Sequence, residues 1–309
     1  MLTRKAVNAV ADAVAEARRT GTTGDLPDLD PKRADIILAG ALVLEGVVKR
    51  FPVRRAEDVV AIDGVDLTIE AGELVSLLGA SGCGKSTLLN IVAGLEMATE
   101  GRVEVDGEPV IGPGPDRGMV FQAYSLFPWM TTRNNIAFGI KQARRDIKKT
   151  ERLKIADEFL HKVGLDGFGS KYPSQLSGGM QQRAAIARAL AMNTEILLMD
   201  EPFSAIDAKN RVILQDLLLD LWEGDGLDQR KTVVFVTHDI DEAILLSDKI
   251  VVLTAHPGTV HEVVQVPFER PRRREDLVKT DEYGKFRNKL LSLLYNDIAE
   301  RIGGEEVVL

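Results

Sequence analysis

The chain has 309 residues, of which 45% are hydrophobic and 28% charged, with a formal net charge of −8. That is the make-up of an ordinary globular protein with enough length for a substantial core, as one large domain or two small ones. The acidic balance disfavours broad binding to nucleic acid, although a local basic patch would still permit it. A single cysteine, Cys83, leaves no internal disulfide and fits a reducing compartment. No run approaches 18 apolar residues, so the chain is not expected to span a membrane, and work at one needs a partner. Asp12 and Glu16 interrupt the N-terminal apolar run, which argues against a signal peptide.

Residues 4–19 place Val7, Val10, Val14 and Ala17 at 3-4-3 spacing, a short amphipathic helix, and "TGTTGDLPDLDP" after it reads as a linker. Either a docking element or a loosely held extension fits these first 40 residues. From residue 41 the pattern changes. "ALVLEGVVKRF", "AIDGVDLTIE" and "RVEVDG" read as Val-rich strands with turns at Asp-Gly, forming a separate antiparallel layer over about 41–107. "ELVSLLG" is a short apolar run ending in glycine, a buried strand, and a helix is expected from Lys85 to about Ala93.

Residues 125–192 are expected to be mainly helical, with Ile155, Phe159, Leu160 and Val163 on one face of a helix over about 148–163. The stretch 141–154 holds seven basic and two acidic residues, either a solvated face or a contact for anionic headgroups. Two buried strands follow, "ILLMD" (196–200) and "TVVFVTH" (232–238), with a helix over 207–223 between them. "KIVVLT" adds a strand that "TVHEVVQV" can pair with, and the tail repeats a helical pattern through Tyr283, Phe286, Leu290, Leu294 and Ile298. Strands alternating with helices predict an α/β fold with a largely parallel sheet.

The residues that carry chemistry sit at the ends of these strands. "GASGCGKST" runs from Gly79, Ala80, Ser81 and Gly82 through Cys83 and Gly84 to Lys85, Ser86 and Thr87, between a buried strand and a helix. That is the phosphate-loop pattern. Its glycines let backbone N–H groups turn toward phosphate oxygens, Lys85 can bridge the β- and γ-phosphates, and the Ser86 hydroxyl can ligate magnesium. Cys83 inside the loop is either a small residue that fits or a thiol activated by Lys85 and the helix start. Asp200 and Glu201 end the apolar strand 196–200. Ligands of an open α/β sheet gather beyond such strand ends. Asp200 can hold magnesium through water, and Glu201 can orient a water for attack on the γ-phosphate. His238 ends a strand expected beside it and could reach the same phosphate. Gln122, at the end of "RGMVFQ", could sense magnesium and the attacking water. A second anion grip is visible in "LSGGMQQR" (176–183), where a serine and two glycines head a helix.

Taken together these residues resemble the ATPase subunit of an ATP-binding-cassette (ABC) transporter. The order is the phosphate loop, a glutamine loop at Gln122, the signature "LSGGMQQR", the aspartate strand with Glu201, "SAID" (204–207) and His238, and it covers about residues 42–265. The resemblance implies a P-loop NTPase cassette. It has a RecA-like parallel-sheet core, an antiparallel β layer and a helical signature subdomain of about 125–192. The domains are then a 1–40 extension, a 41–265 ATPase domain and a 266–309 helical tail. It implies that ATP and Mg2+ are bound and ATP hydrolysed, with magnesium held by Ser86, Gln122 and Asp200. It implies that Phe51 stacks on adenine, with a core role as the rival reading. It also explains two grips in one chain. Such subunits pair head to tail as a homodimer or with a second ATPase subunit, and Ser177, Gly178 and Gly179 then serve the ATP held by the partner's phosphate loop. Asp207 would lie at that interface. The fifth signature position, usually glutamine, is Met180 here.

"LFPWMTTRNNIAFGI" (126–140), "AHPGTV" and "ERPRRRED" (269–276) are similar to the importer branch that serves nitrate, sulfonate, taurine and bicarbonate. That branch implies a transmembrane permease, an extracytoplasmic substrate-binding protein, and a peripheral position on the cytoplasmic face of the inner membrane. Phe127, Pro128 and Trp129 then anchor the permease, or else form the core of the helical subdomain. The triple arginine 272–274 reads as a solvated charge run or an anion site. A soluble cassette protein acting on DNA or ribosomes is the alternative. It would be expected to carry a coiled-coil insertion or a second cassette, and neither is present in the sequence. A small-molecule kinase with a phosphate loop would lack the signature and His238.

Overall fold

The computed structural model describes residues 40–54, 57–123, 125–223 and 230–302, with side chains as far as residue 294. The expected N-terminal helix and linker, and the side chain of Ile298, lie outside the described residues. The strands are β1 (Leu42–Phe51), β2 (Val59–Ile69), β3 (Leu74–Gly79), β4 (Glu100–Val105), β5 (Glu108–Pro109), β6 (Arg117–Val120), β7 (Ile196–Asp200), β8 (Thr232–Thr237), β9 (Lys249–Leu253) and β10 (Val260–Gln265). The helices are α1 (Lys85–Val92), α2 (Thr132–Ala143), α3 (Lys149–Lys162), α4 (Gly178–Met192), α5 (Ala208–Glu223), α6 (Ile240–Leu246), α7 (Arg274–Leu277) and α8 (Asp281–Ile302).

Two sheets form. The central one has the order β10-β9-β3-β8-β7-β6, parallel except where β10 joins β9. Its inner strands read as unbroken apolar runs because both faces are covered. Along β8, Val233 and Phe235 face a core built with α2 to α6 and α8, while Val234 and Val236 face a core built with α1 and the second sheet. The alternation is the period-2 geometry of a strand. The second sheet is antiparallel in the order β2-β1-β4-β5. The parallel sheet with flanking helices and the separate antiparallel layer are the α/β arrangement expected.

One turn expectation fails and one holds. Asp106 and Gly107, at φ 51° and 80°, turn the chain between β4 and β5. Asp63 and Gly64 instead run inside β2, where the register against β1 slips between Val47↔Val65 and Lys49↔Ile62. Gly64, at φ 64°, accommodates a bulge and not a reversal.

The C-terminal arginines also depart from expectation. Arg272 is buried, and its guanidinium donates to the carbonyls of Ile244, Ser247 and Phe268. Arg270 donates to Leu246 O and Asp248 and stacks on Trp222. The last carbonyls of a helix have no partner within it. Here two arginines supply donors to the C-terminal end of α6, so Arg272 is neither part of a solvated run nor a free anion site. Arg274 bonds Gln215.

Candidate active site

The order of the central sheet decides which side chains meet. The loops after β3, β8, β7 and β6 leave from neighbouring strands at one edge. They carry, in that lateral order, the phosphate loop, His238, Asp200 with Glu201, and Gln122. Gln122 and His238 lie just past their strands and not in them, since β6 stops at Val120 and β8 at Thr237.

The phosphate loop is fixed by sterics. Gly84 stands at φ 88° as the residue before α1, and a Cβ there would sit 2.5 Å from Ile62 Cδ1 and 2.8 Å from Ala61 O. Only glycine fits, so the antiparallel layer holds the loop's shape from behind. At Gly79 a Cβ would meet the Cys83 sulfur at 2.6 Å. Cys83 is fully buried, and burial raises its thiol pKa despite the nearby Lys85. The small-residue reading of Cys83 therefore fits, and the activated thiol does not. Lys85 is buried and donates to the carbonyls of Gly79 (2.7 Å) and Ala80 (2.9 Å), so its ammonium is held over the loop.

At the end of β7 Asp200 Oδ1 accepts from the Ser86 hydroxyl at 3.0 Å. Burial raises the Asp200 carboxyl, the Ser86 bond lowers it, neighbouring Glu201 raises it, and Lys85 lowers it. Glu201 adopts φ 41°, an uncommon conformation for a non-glycine residue and one that collects at functional sites. Its N–H donates to Val236 O at 3.1 Å, which ties it to β8. Its carboxylate accepts from Gln122 Nε2 at 3.3 Å and meets His238 Nδ1 at 3.3 Å. Two residues from two other loops thus converge on one carboxylate. The hydroxyl, carboxylate and side-chain amide of Ser86, Asp200 and Gln122 are oxygen donors suited to magnesium. Among the described residues no cluster of three or more acidic, His or Cys side chains forms an all-protein cage.

The signature residues stand elsewhere. Ser177 caps α4, its hydroxyl accepting from Met180 N at 3.4 Å. Gly179 faces Ala205 O of the "SAID" turn. Among the described residues, no hydrogen bond joins Ser177, Gly178 or Gly179 to the phosphate loop. Met180 packs against the core, so the fifth signature position is occupied by an apolar contact. Asp207 accepts from Asn210 N and Asn210 Nδ2 at the start of α5, and those bonds lower its pKa. Phe51 is 37% exposed with the Lys49 ammonium 4.9 Å from its ring centroid, which removes the core reading. The anchor readings at 127–129 divide. Phe127 packs on Phe138 at 5.0 Å, while Pro128 and Trp129 are exposed, Trp129 by 69%.

Sequence reasoning missed Thr237, Glu242 and Arg211, which line a cleft with Glu201 and His238. The spacing Asp239-x-x-Glu242 carried a signal, since Asp239 caps α6.

Fold and site define a phosphate-loop ATPase. The sequence matches the family described as ABC transporter over residues 62–204. It is 48% identical over 261 residues to an uncharacterised ABC transporter ATP-binding protein of Methanocaldococcus jannaschii, covering 84% of this chain and 94% of that one. It is 46% identical over 270 residues to a nitrate import ATP-binding protein of Synechococcus elongatus, covering 87% and 97%. It is 47% identical over 254 residues to a bicarbonate transport ATP-binding protein of the same organism, covering 82% of this chain and 38% of that one. A solved ATP-binding cassette, a dimer in a post-hydrolysis state bound to ADP and Pi, aligns with a TM-score of 0.66 at 38% identity, covering 74% of this chain and all of that one. The chain belongs to the ATP-binding subunits of ABC transporters, and it is an ATPase coupled to transport. Among the described residues no helix is long and apolar enough to cross a membrane.

Proposed function

We propose that this chain is the motor of an importer for a small anion of the nitrate, bicarbonate, sulfonate or taurine class. The observation that carries the reading is near-full-length similarity to a nitrate import ATP-binding protein. It works with a permease and an extracytoplasmic binding protein, from the cytoplasmic face of the membrane. Exposed Pro128 and Trp129 offer the permease an anchor.

In this reading two copies, or this chain and a second ATPase subunit, enclose two ATP molecules. The phosphate loop of one subunit holds the β- and γ-phosphates through Lys85 and the amides of 79–87. Phe51 stacks on the adenine. Ser177, Gly178 and Gly179 of the other subunit close on the same γ-phosphate, and Asp207 lies at the interface. Ser86, Asp200 and Gln122 would hold magnesium, which would supply charge neutralisation to the phosphates. Glu201 orients and deprotonates the water, and His238 holds the γ-phosphate and the Glu201 carboxylate in register. Loss of that phosphate removes the charge that joined the two subunits, and the pair opens.

The test is recovery of the tagged chain from detergent-solubilised host membranes, followed by identification of its partners by mass spectrometry. A polytopic permease is expected. Once reconstituted with its binding protein, the complex should hydrolyse ATP faster with one of these anions than without. Recovery of ribosomal or DNA-repair proteins and no permease would overturn the reading.

A further inference from the structure

Behind the candidate site a buried polar chain links the C-terminal segment to the loop that carries His238. Arg274 in α7 donates through Nη2 to Gln215 Oε1 on α5. Gln215 is fully buried and donates through Nε2 to Glu242 Oε1 at 2.9 Å. Glu242 Oε2 accepts from the Thr237 hydroxyl at 2.8 Å, and that hydroxyl accepts from Asp239 N at 3.0 Å.

The donor and acceptor inventory fixes the direction of the first two links. Arginine only donates, so it must face the Gln215 oxygen, which turns the Gln215 amide nitrogen toward Glu242. Glu242 thus bonds Gln215 on one side and the Thr237 hydroxyl on the other. Arg211 stands 3.8 Å from Glu242 and 3.9 Å from Asp239, and its other nitrogen donates to Ile206 O beside Asp207. Burial raises the Glu242 carboxyl, and the Thr237 bond opposes that shift.

Thr237 and Asp239 flank His238. The bond from Asp239 N to the Thr237 hydroxyl closes the loop around the histidine, and Glu242 sets the direction in which that hydroxyl points. His238 itself is exposed, and its one ionic contact among the described residues is Glu201. Its placement thus depends on the backbone on either side of it.

We propose that Thr237 and Glu242 are positioning residues for His238, and that Arg274, acting through Gln215, lets the C-terminal segment set how firmly that histidine is held. The proposal rests on the reading of His238 as a hydrolytic residue.

The test is single-turnover hydrolysis and ATP binding by the full chain. Thr237→Val keeps the shape of the side chain and removes the hydroxyl. It should lower the hydrolysis rate tenfold or more, on the order of what a small misplacement costs, with ATP affinity within about twofold of the parent. Thr237→Ser restores the hydroxyl and should recover most of the rate. Arg274→Ala should lose less, in the same direction. In a His238→Ala background Thr237→Val and Arg274→Ala should cost nothing further, because a residue that acts only through His238 has nothing left to position. A parent rate in Thr237→Val, or the same loss with and without His238, would overturn the proposal alone. A parent rate in His238→Ala would remove the reading of His238 together with it. Should Thr237→Val fail to fold by circular dichroism, Arg274→Ala, at the outer end of the chain, decides by the same criterion.

Discussion

The N-termini of α1 and α4 offer the same physics to an anion, free amides and the positive end of a helix dipole, yet they are furnished differently. Around α1 the chain supplies a buried ammonium, a hydroxyl bonded to a carboxylate, and the Glu201 carboxylate contacted by Gln122 and His238. At α4 it supplies Ser177, two glycines and, among the described residues, one hydrogen bond to the Ser177 hydroxyl. In the reading proposed above, the first end holds the phosphates of its own ATP and the second closes on the ATP of a partner subunit. The difference teaches that a motif's helix geometry marks an anion grip, while the side chains around it decide whose anion it is.

Four substitutions or modifications probe that contrast. The largest effect belongs to Glu201→Gln, which removes the proposed base and leaves the phosphate grip. A positioned general base contributes about 10²–10⁴-fold, so turnover should fall by that order while ATP binding persists and dimers accumulate by size exclusion. Parent turnover would remove Glu201 from its role. Gly84→Ala breaks the first end. Its Cβ meets Ile62 and Ala61, and φ 88° is strained for any side chain. Nucleotide affinity measured by calorimetry should drop at least tenfold, with a stability loss of about 1–3 kcal/mol. Ser177→Ala weakens the second end. Thermal unfolding should register about 0.5–2 kcal/mol for the lost helix cap. ATP binding by the monomer should persist while hydrolysis at dimer-forming concentrations falls. The smallest effect is at Cys83. Its burial should make alkylation slow, bound nucleotide should slow it further, and the fraction that does react should lose nucleotide binding.

Much of the candidate site was legible because its strands are short, buried and end at or just before the residues that converge there. "ILLMD" is β7 to the residue, and β8 stops one residue before His238. The phosphate loop is readable because Gly84 answers a steric demand that no other residue meets. Three features were hidden. Asp63-Gly64 carries the local signal of a turn, but pairing to β1 carries the strand through it as a bulge. Arg270 and Arg272 look like surface charge until the carbonyls at the end of α6 are seen to need donors. Glu242 reads as a capping-box acid, whereas its carboxylate turns to Thr237 and Gln215, partners 5 and 27 residues away in the chain. Each depends on a partner distant in sequence or on a demand that periodicity does not express.

Mixing two inactive variants tests the half-site account most directly. Lys85→Ala disables the phosphate loop and Gly179→Asp disables the signature, and each alone should leave little ATPase activity. If the two grips on one ATP come from different molecules, a mixed pair contains one intact composite site, joining the loop of the Gly179→Asp subunit to the signature of the Lys85→Ala subunit. Activity should then rise on mixing and follow the fraction of mixed pairs. Were both grips on one ATP supplied by the same molecule, every site in the mixture would stay broken, and the absence of any recovery despite proven mixed pairs would contradict the account.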